Sequence, residues 1–288
     1  MHTLPRLTQA QAPLIQHIRA RNEQGQWQDV AIPAERALTV YVDKQELITL
    51  MTLGAHPEWL VLGYLLNQGL VQRVEDVHSV SVDWDAGEAG AGVAAVRLHT
   101  PRTDWALSRT VTTGCGQGSQ FGDWMQGLDA LQLPQATVQA EHIPQRLAQA
   151  RAQQTLYRQS GSVHACALFQ GDTLGLLVED VGRHNALDTL AGWMAWQGQV
   201  TNAQSLLYTT GRLTSEMILK AARMGVAVVV SRSGMTEMGL QLAERLGVCA
   251  IGRARHEHFL VYTAAHRVQW ATRDASAVAP LSATPDLR

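Results

Sequence analysis

SLLYTTGRLTSEMILKAARMGVAVVVS, residues 205–231, carries the pattern that decides the fold. SLLYTTG is short and apolar and stops at a glycine, as a strand does. RLTSEMILKAARMG places Leu213, Met217, Ala221 and Met224 at helical spacing, and Gly225 closes the run. VAVVVS is continuously apolar, the mark of a strand covered on both faces. Strand, helix, strand in close succession predicts a parallel pair with a helical crossover.

The rhythm extends both ways. Upstream, SVHACALFQ and TLGLLVEDVG read as strands, and RHNALDTLAGWMAWQ as a helix burying Leu187, Leu190, Ala191 and Met194. Downstream, MTEMGLQLAERLG reads as a helix, and VCAIG and FLVYT as strands. The expectation is a mainly parallel sheet packed on both sides over residues 141–270. Residues 26–140 read as a smaller α+β domain. In it ALTVYVD and LITLMTL form a hairpin joined by KQE, and HPEWLVLGYLLNQG forms a helix with Trp59, Leu62 and Leu66 on one face. Residues 125–154 are rich in Gln and Ala and read as a helical connector starting near Pro144. Residues 1–25 read as a partly disordered lead-in, and residues 271–288 as a disordered tail.

The hydrophobic fraction, 46%, sustains a sizeable core, and the formal net charge of -2 argues against non-specific nucleic-acid binding. No apolar run reaches the length of a membrane span, and the N-terminus lacks the apolar centre of a secretory signal. Three cysteines, too few and too scattered for a disulfide framework, suggest a cytoplasmic protein.

Three strand-to-helix joints resemble one another: EDVGRHN (179–185), TTGRLTSE (209–216) and SRSGMTE (231–237). Each has a Gly and an Arg where the strand ends. In an open sheet such joints share one edge, where ligands bind. Helix N-termini there favour anions, and Arg183, Arg212 and Arg232 would strengthen a phosphate site. Each joint alone also fits a tight turn with a paired Arg; three together point to a ligand edge. His184 and Asn185 serve either ligand recognition and proton handling or helix capping. GRARHEH, residues 252–258, either grips a phosphate or purine or forms a solvated turn. His164, Cys166 and Cys249 lie in apolar strands and read as core residues.

TTGCGQGSQ, residues 112–120, sets Cys115 among glycines. A mobile loop holds a catalytic dyad poorly but suits a thiol that must travel. No second cysteine stands at metal-ligand spacing, so zinc is not expected.

Taken together, SGSVHACAL, EDVGRHNALD, TGRLTSEMILKAA, the GRARHEHFLVYT region and ITLMTLGAHPEWLVLGYLLNQGLV resemble the FdhD family of sulfur carriers required for formate dehydrogenase activity. The resemblance implies a cytidine-deaminase-like α/β/α larger domain beside a smaller N-terminal α+β domain. It implies a carrier that takes persulfide sulfur from a cysteine desulfurase onto Cys115. The sulfur would pass to the molybdenum of the bis-molybdopterin guanine dinucleotide cofactor, destined for formate dehydrogenase. The cofactor-binding stretch falls on Arg253, Ala254, Arg255, His256, Glu257 and His258. Phosphate contacts would come from Arg183, His184, Asn185, Gly211 and Arg212. A homodimer is also implied. The chain departs from the family's CG-x-CG loop, because Gly118 stands where a second cysteine would be. That leaves a cofactor-binding chaperone without sulfur transfer as the alternative.

Overall fold

A computed structural model describes residues 3–87, 91–101, 109–111 and 131–271, the short stretch 109–111 by its backbone only. The expected tail at residues 271–288, apart from Ala271, and the Cys115 loop lie outside the described residues.

The first sheet has the order β1-β6-β7-β4-β5-β8. Its strands are β1 (Arg6–Leu7), β4 (Arg36–Val42), β5 (Gln45–Thr52), β6 (Val77–Asp83), β7 (Gly92–Leu98) and β8 (Arg109–Val111). The alternation in β4 does what it predicts: Leu38, Val40 and Val42 are fully buried. The β4–β5 turn is tighter than KQE. Asp43 and Lys44 both take positive φ, 47° and 72°, and the strand resumes at Gln45. That left-handed pair matches the strand twist in a two-residue hairpin. Within the expected lead-in, β1 pairs with β6. β2 (Ile15–Arg21) forms a separate hairpin with β3 (Trp27–Pro33).

The second sheet has the order β11-β10-β12-β13-β14-β15. It comprises β10 (His164–Gln170), β11 (Thr173–Asp180), β12 (Ser205–Thr209), β13 (Val228–Ser231), β14 (Cys249–Arg255) and β15 (His258–Val261). The β12–β13 and β13–β14 pairs are parallel, as the βαβ reading requires. The other three pairings are antiparallel, so the sheet is mixed rather than mainly parallel. The reason is loop length. Gly171 and Asp172 join β10 to β11, and two residues can only reverse the chain.

Both faces are covered. Leu207, Val229 and Ala250 point into a core with α4 (Arg183–Gln197), α5 (Ser215–Arg223) and α6 (Glu237–Leu246). Leu206, Tyr208, Val228, Val230 and Ile251 point into another with α2 (His142–Gln153). The short helix α3 (Leu156–Ser160) follows α2, and β9 (Val138–Gln139) pairs with β16 (Val268–Gln269). The connector helix thus starts two residues before Pro144 and ends at Gln153.

Helix α1 (Pro57–Asn67) departs from the one-face expectation. Leu60, Val61, Leu62, Gly63, Tyr64 and Leu65 are all buried, while Trp59 and Leu66 are only partly so. The cause is that α1 lies between the first sheet and α4. The two helices meet backbone to backbone. A Cβ on Gly63 would sit 1.7 Å from the Asp188 carbonyl oxygen, and one on Gly192 would sit 1.9 Å from that of Trp59. The two glycines let α1 and α4 approach to backbone contact.

Candidate functional site

Strand β10 runs antiparallel to both β11 and β12, so β11, β12, β13 and β14 all point the same way. Their C-terminal ends, together with the start of β10, make one edge. The three joints read from the sequence therefore share that edge.

Local hydrogen bonds lace the joints together. Ser231 Oγ donates to Gly211 O at 2.6 Å and Ser233 Oγ to Thr210 O at 2.8 Å. The Arg232 amide donates to Thr209 O at 3.0 Å, and the Arg253 amide to Ser233 O at 2.7 Å. Thr214 caps α5 by accepting from the Met217 amide, and Thr236 caps α6 by accepting from the Gly239 amide. Helix α4 has Gly182 at its N-cap and no side-chain cap, so its first amides stay available.

Arg183 and Arg212 are brought together. The Arg183 stem packs on Gly211, where a Cβ would lie 2.6 Å from Arg183 Cδ; this is why a glycine stands there. Burial, and then the neighbouring Arg212 charge, lower the Arg183 pKa. Its Nε is buried without a partner among the described residues, a donor that an anion could satisfy. His164, expected in the core, begins β10 at this same edge. Its Nδ1 lies 3.3 Å from Thr210 Oγ1, and burial, Arg183 and Arg212 hold it below its ordinary range. The sequence signal for His164 was its position at a strand start just after Gly161 and Ser162. Two guanidinium groups and an imidazole thus converge on one spot.

Arg232 stands apart, stacked on Tyr157 at 5.6 Å on the α3 side. Burial raises the pKa of Tyr208, and the charges of Arg232 and Arg151 offset only part of that push. GRARHEH is not a loop but a β-hairpin. β14 runs on to Arg255, with a bulge after Gly252, and Arg253 and His256 take φ of 52° and 54°. Arg253, Arg255, His256, Glu257 and His258 are exposed, and His256 Nδ1 lies 3.3 Å from an Arg151 nitrogen. Ala254 is 2% exposed and packs in the core.

The other polar groups of EDVGRHN serve the framework. Glu179 accepts from the amides of Thr155, Leu156 and Tyr157 and so caps α3. Asp180 accepts from Thr52 Oγ1 at 2.5 Å and from the Leu53 and Gly182 amides. Asn185 Nδ2 donates to Asp180 Oδ1 and to Met51 O at 2.6 Å. These bonds fasten the end of β5 to the start of α4. Burial still pushes the Asp180 carboxyl up to about 6. Cys166 and Cys249 are core thiols, each pushed up to about 12 by burial.

His184 lies 3.2 Å from Glu216 Oε2, and burial pushes it down to about 3 despite that carboxylate. Glu216 Oε1 and Asp188 Oδ2 share the ammonium of Lys220, at 3.1 Å and 2.8 Å. Against the downward push of burial, the two carboxylates hold Lys220 charged and above its ordinary value. Asn67 Nδ2 donates to Asp188 Oδ1 at 2.7 Å, and Arg223 donates to Asn67 O, so the network reaches α1.

A pH effect follows from His184. The unfolded chain protonates a histidine near 6.5, whereas the folded chain resists until about 3. Its contribution is complete above 6.5 and is lost as the pH falls, by about 1.4 kcal/mol per unit. Asp180 acts oppositely between about 6 and 3.8, because the folded state takes up that proton first. His184→Gln is expected to flatten the fall in urea midpoint from pH 6.5 to 4, and an unchanged slope would refute the assignment.

The sequence model of the FdhD/NarQ family matches residues 33–269. The chain belongs to the FdhD/NarQ family. It is similar to "Sulfur carrier protein FdhD" of Geobacillus kaustophilus, 32% identical over 82% of this chain and 89% of that protein. The Bacillus subtilis protein of the same name is 31% identical over 86% of this chain and 95% of its own length. A crystal structure of a putative formate dehydrogenase accessory protein from Desulfotalea psychrophila matches with a TM-score of 0.70 and 26% identity. It covers 89% of this chain and 100% of its own. The family match takes in the first sheet from β4 onward and all of the strand-exit edge, and leaves most of the β2–β3 hairpin outside.

Proposed function

We propose that this protein is a sulfur carrier for formate dehydrogenase maturation, with Cys115 as the carrying thiol. The family and the names of its members support the class of activity. The observation that carries the residue-level reading is a strand pairing. β8 lies parallel to β5, with Val111 opposite Leu50. Cys115 follows Val111 by four residues, so an extended chain keeps its Cα within about 14 Å of that strand end. Two residues beyond Leu50, Thr52 bonds to Asp180, three residues before Arg183. The Arg183, Arg212 and His164 cluster lies on the side of the molecule where β5 and β8 end, which supports reading Cys115 as the thiol that serves it.

In the first step the Cys115 thiolate attacks the outer sulfur of a persulfide on a cysteine desulfurase. The donor's S–S bond breaks, its thiolate leaves, and Cys115 becomes the persulfide. The acceptor is the molybdenum of the bis-molybdopterin guanine dinucleotide, a substrate of the carrier rather than its resident cofactor. Its phosphates suit Arg183 and Arg212: Gly211 makes room for the Arg183 stem, and the Arg183 Nε, without a partner among the described residues, offers a donor. Arg253, Arg255, His256 and His258 offer exposed donors on the same edge. The second sheet is read as a cytidine-deaminase-like scaffold without its zinc chemistry, and the protein as a cytoplasmic homodimer.

Gly118 leaves this loop with one thiol, so transfer proceeds without a resolving cysteine beside it. The test is complementation of a cell lacking its own family member. Cys115→Ala is expected to bring formate dehydrogenase activity to background. The wild-type protein, incubated with desulfurase and cysteine, should gain the mass of one sulfur on the Cys115 peptide. Full activity of Cys115→Ala would overturn sulfur transfer and favour the chaperone reading.

A further inference from the structure

A cavity of about 420 Å³ lies between residues 7–14, the turn at Gly54 to His56, the first turn of α1 and the last turn of α4. It is remote from the strand-exit edge. Trp196, in its wall, is thirteen residues beyond Arg183 on α4, roughly 20 Å along the axis.

One wall is aromatic. Trp59 and Trp196 have ring centroids 6.2 Å apart at 41°, and His56 lies 4.7 Å from Trp59. Its charge is the Glu58 carboxylate, on a residue 5% exposed. Glu58 Oε1 accepts from Thr8 Oγ1 at 2.6 Å and from the Ala10 amide at 2.7 Å, which fixes residues 7–14 as one wall. Glu58 Oε2 has no partner among the described residues. Trp196 Nε1 is buried and also has none. A carboxylate oxygen and an indole N–H, neither bonded among the described residues, therefore belong to the residues of one pocket. Burial holds His56 below its ordinary value, so the imidazole adds no opposing charge at neutral pH. The last turn of α4 has no basic residue, and its carbonyl end favours a cation, while Glu58 offsets the opposite pole at the start of α1.

We propose that this cavity binds an organic cation: a protonated amine or guanidinium on a slender body that also carries a hydrogen-bond acceptor. The cation meets Glu58 Oε2, the body lies against Trp59 and Trp196, and the acceptor takes the Trp196 N–H. A carboxylate with aromatic faces is the usual chemistry for such a group. A neutral ligand would leave the carboxylate charge without compensation, and an anion would be repelled.

Calorimetry on the full chain tests this with N-acetyl-arginine methylamide and its neutral isostere, the N-acetyl-citrulline derivative. The arginine compound is expected to bind at least about tenfold more tightly. Glu58→Gln keeps an acceptor for Thr8 and Ala10 and should abolish that preference with the fold intact by circular dichroism. Trp196→Phe keeps the ring and should weaken binding severalfold. Benzamidine and a short peptide with one Arg separate the sources: tighter peptide binding assigns the cation to a partner chain, tighter benzamidine binding to a small molecule. Equal binding of the citrulline compound, an unaltered preference in Glu58→Gln, or no saturation by either cation below about 10 mM would overturn the proposal.

Discussion

Gly192→Ala is expected to destabilise the protein by at least about 3 kcal/mol. The added carbon would lie 1.9 Å from the Trp59 carbonyl oxygen and 2.8 Å from the Gly63 nitrogen. Both are backbone atoms, so no rotamer change can make room. The helices must separate, and separation strains everything bonded across them: Asn67 to Asp188, Asn185 to Met51 O, and Thr52 to Asp180. Gly63→Ala should behave alike, since its Cβ would meet the Asp188 carbonyl oxygen at 1.7 Å. The double variant should lose less than the sum, because the first substitution already opens the crossing. Gly234→Ala is the control. Nothing lies within 4 Å of its Cβ position, so its effect should stay within about 0.5 kcal/mol. Urea unfolding measures all four. A loss under about 1 kcal/mol for Gly192→Ala would mean that the helices do not meet backbone to backbone.

Lys220→Met is expected to cost about 3–5 kcal/mol at neutral pH. Methionine fills much the same volume, so the loss comes from charge. Asp188, 2% exposed, and Glu216, 7% exposed, would face each other without the ammonium that now lies between them. Asn67 still donates to Asp188, but a neutral amide does not balance a buried carboxylate. The pH dependence distinguishes this cause from a packing defect. In the variant both carboxyls bind protons more readily folded than unfolded, so stability should recover as the pH falls below neutrality. A loss that is the same at pH 5 and pH 7 would show that packing, not charge, is responsible.

The position of His184 links these energetics to the strand-exit edge. Its ring reaches Glu216, in the buried network, while the preceding Arg183 lies at the edge with Arg212. A pair of adjacent residues thus divides between framework and site. The same division runs through EDVGRHN: Glu179, Asp180 and Asn185 secure three elements, and Arg183 is left at the edge with an Nε that has no partner among the described residues. Dense polar residues in one turn signalled importance, yet they could not say which of them hold the chain and which hold a cargo.

Much of the fold was legible because its signals are local. Alternation in β4 named Leu38, Val40 and Val42, and the 3.6-residue period in α4 named Leu187, Leu190 and Met194; all are buried. The mixed sheet was less legible. Strand direction in β10 and β15 follows from turns only two residues long, and their apolar runs look the same in either direction.

By itself the sequence determined the succession of strands and helices, the joints that share an edge, and the single thiol of the Cys115 loop. These depend on neighbours within one turn or one strand, where backbone geometry links residue type to conformation. Only the tertiary structure decided that Gly63 meets Gly192, that Lys220 lies between Asp188 and Glu216, and that His164 joins Arg183 and Arg212. Asn67 and Asp188 are 121 residues apart yet share a hydrogen bond. Such contacts arise when helices pack and exclude water, and no local pattern specifies which distant side chain will be waiting.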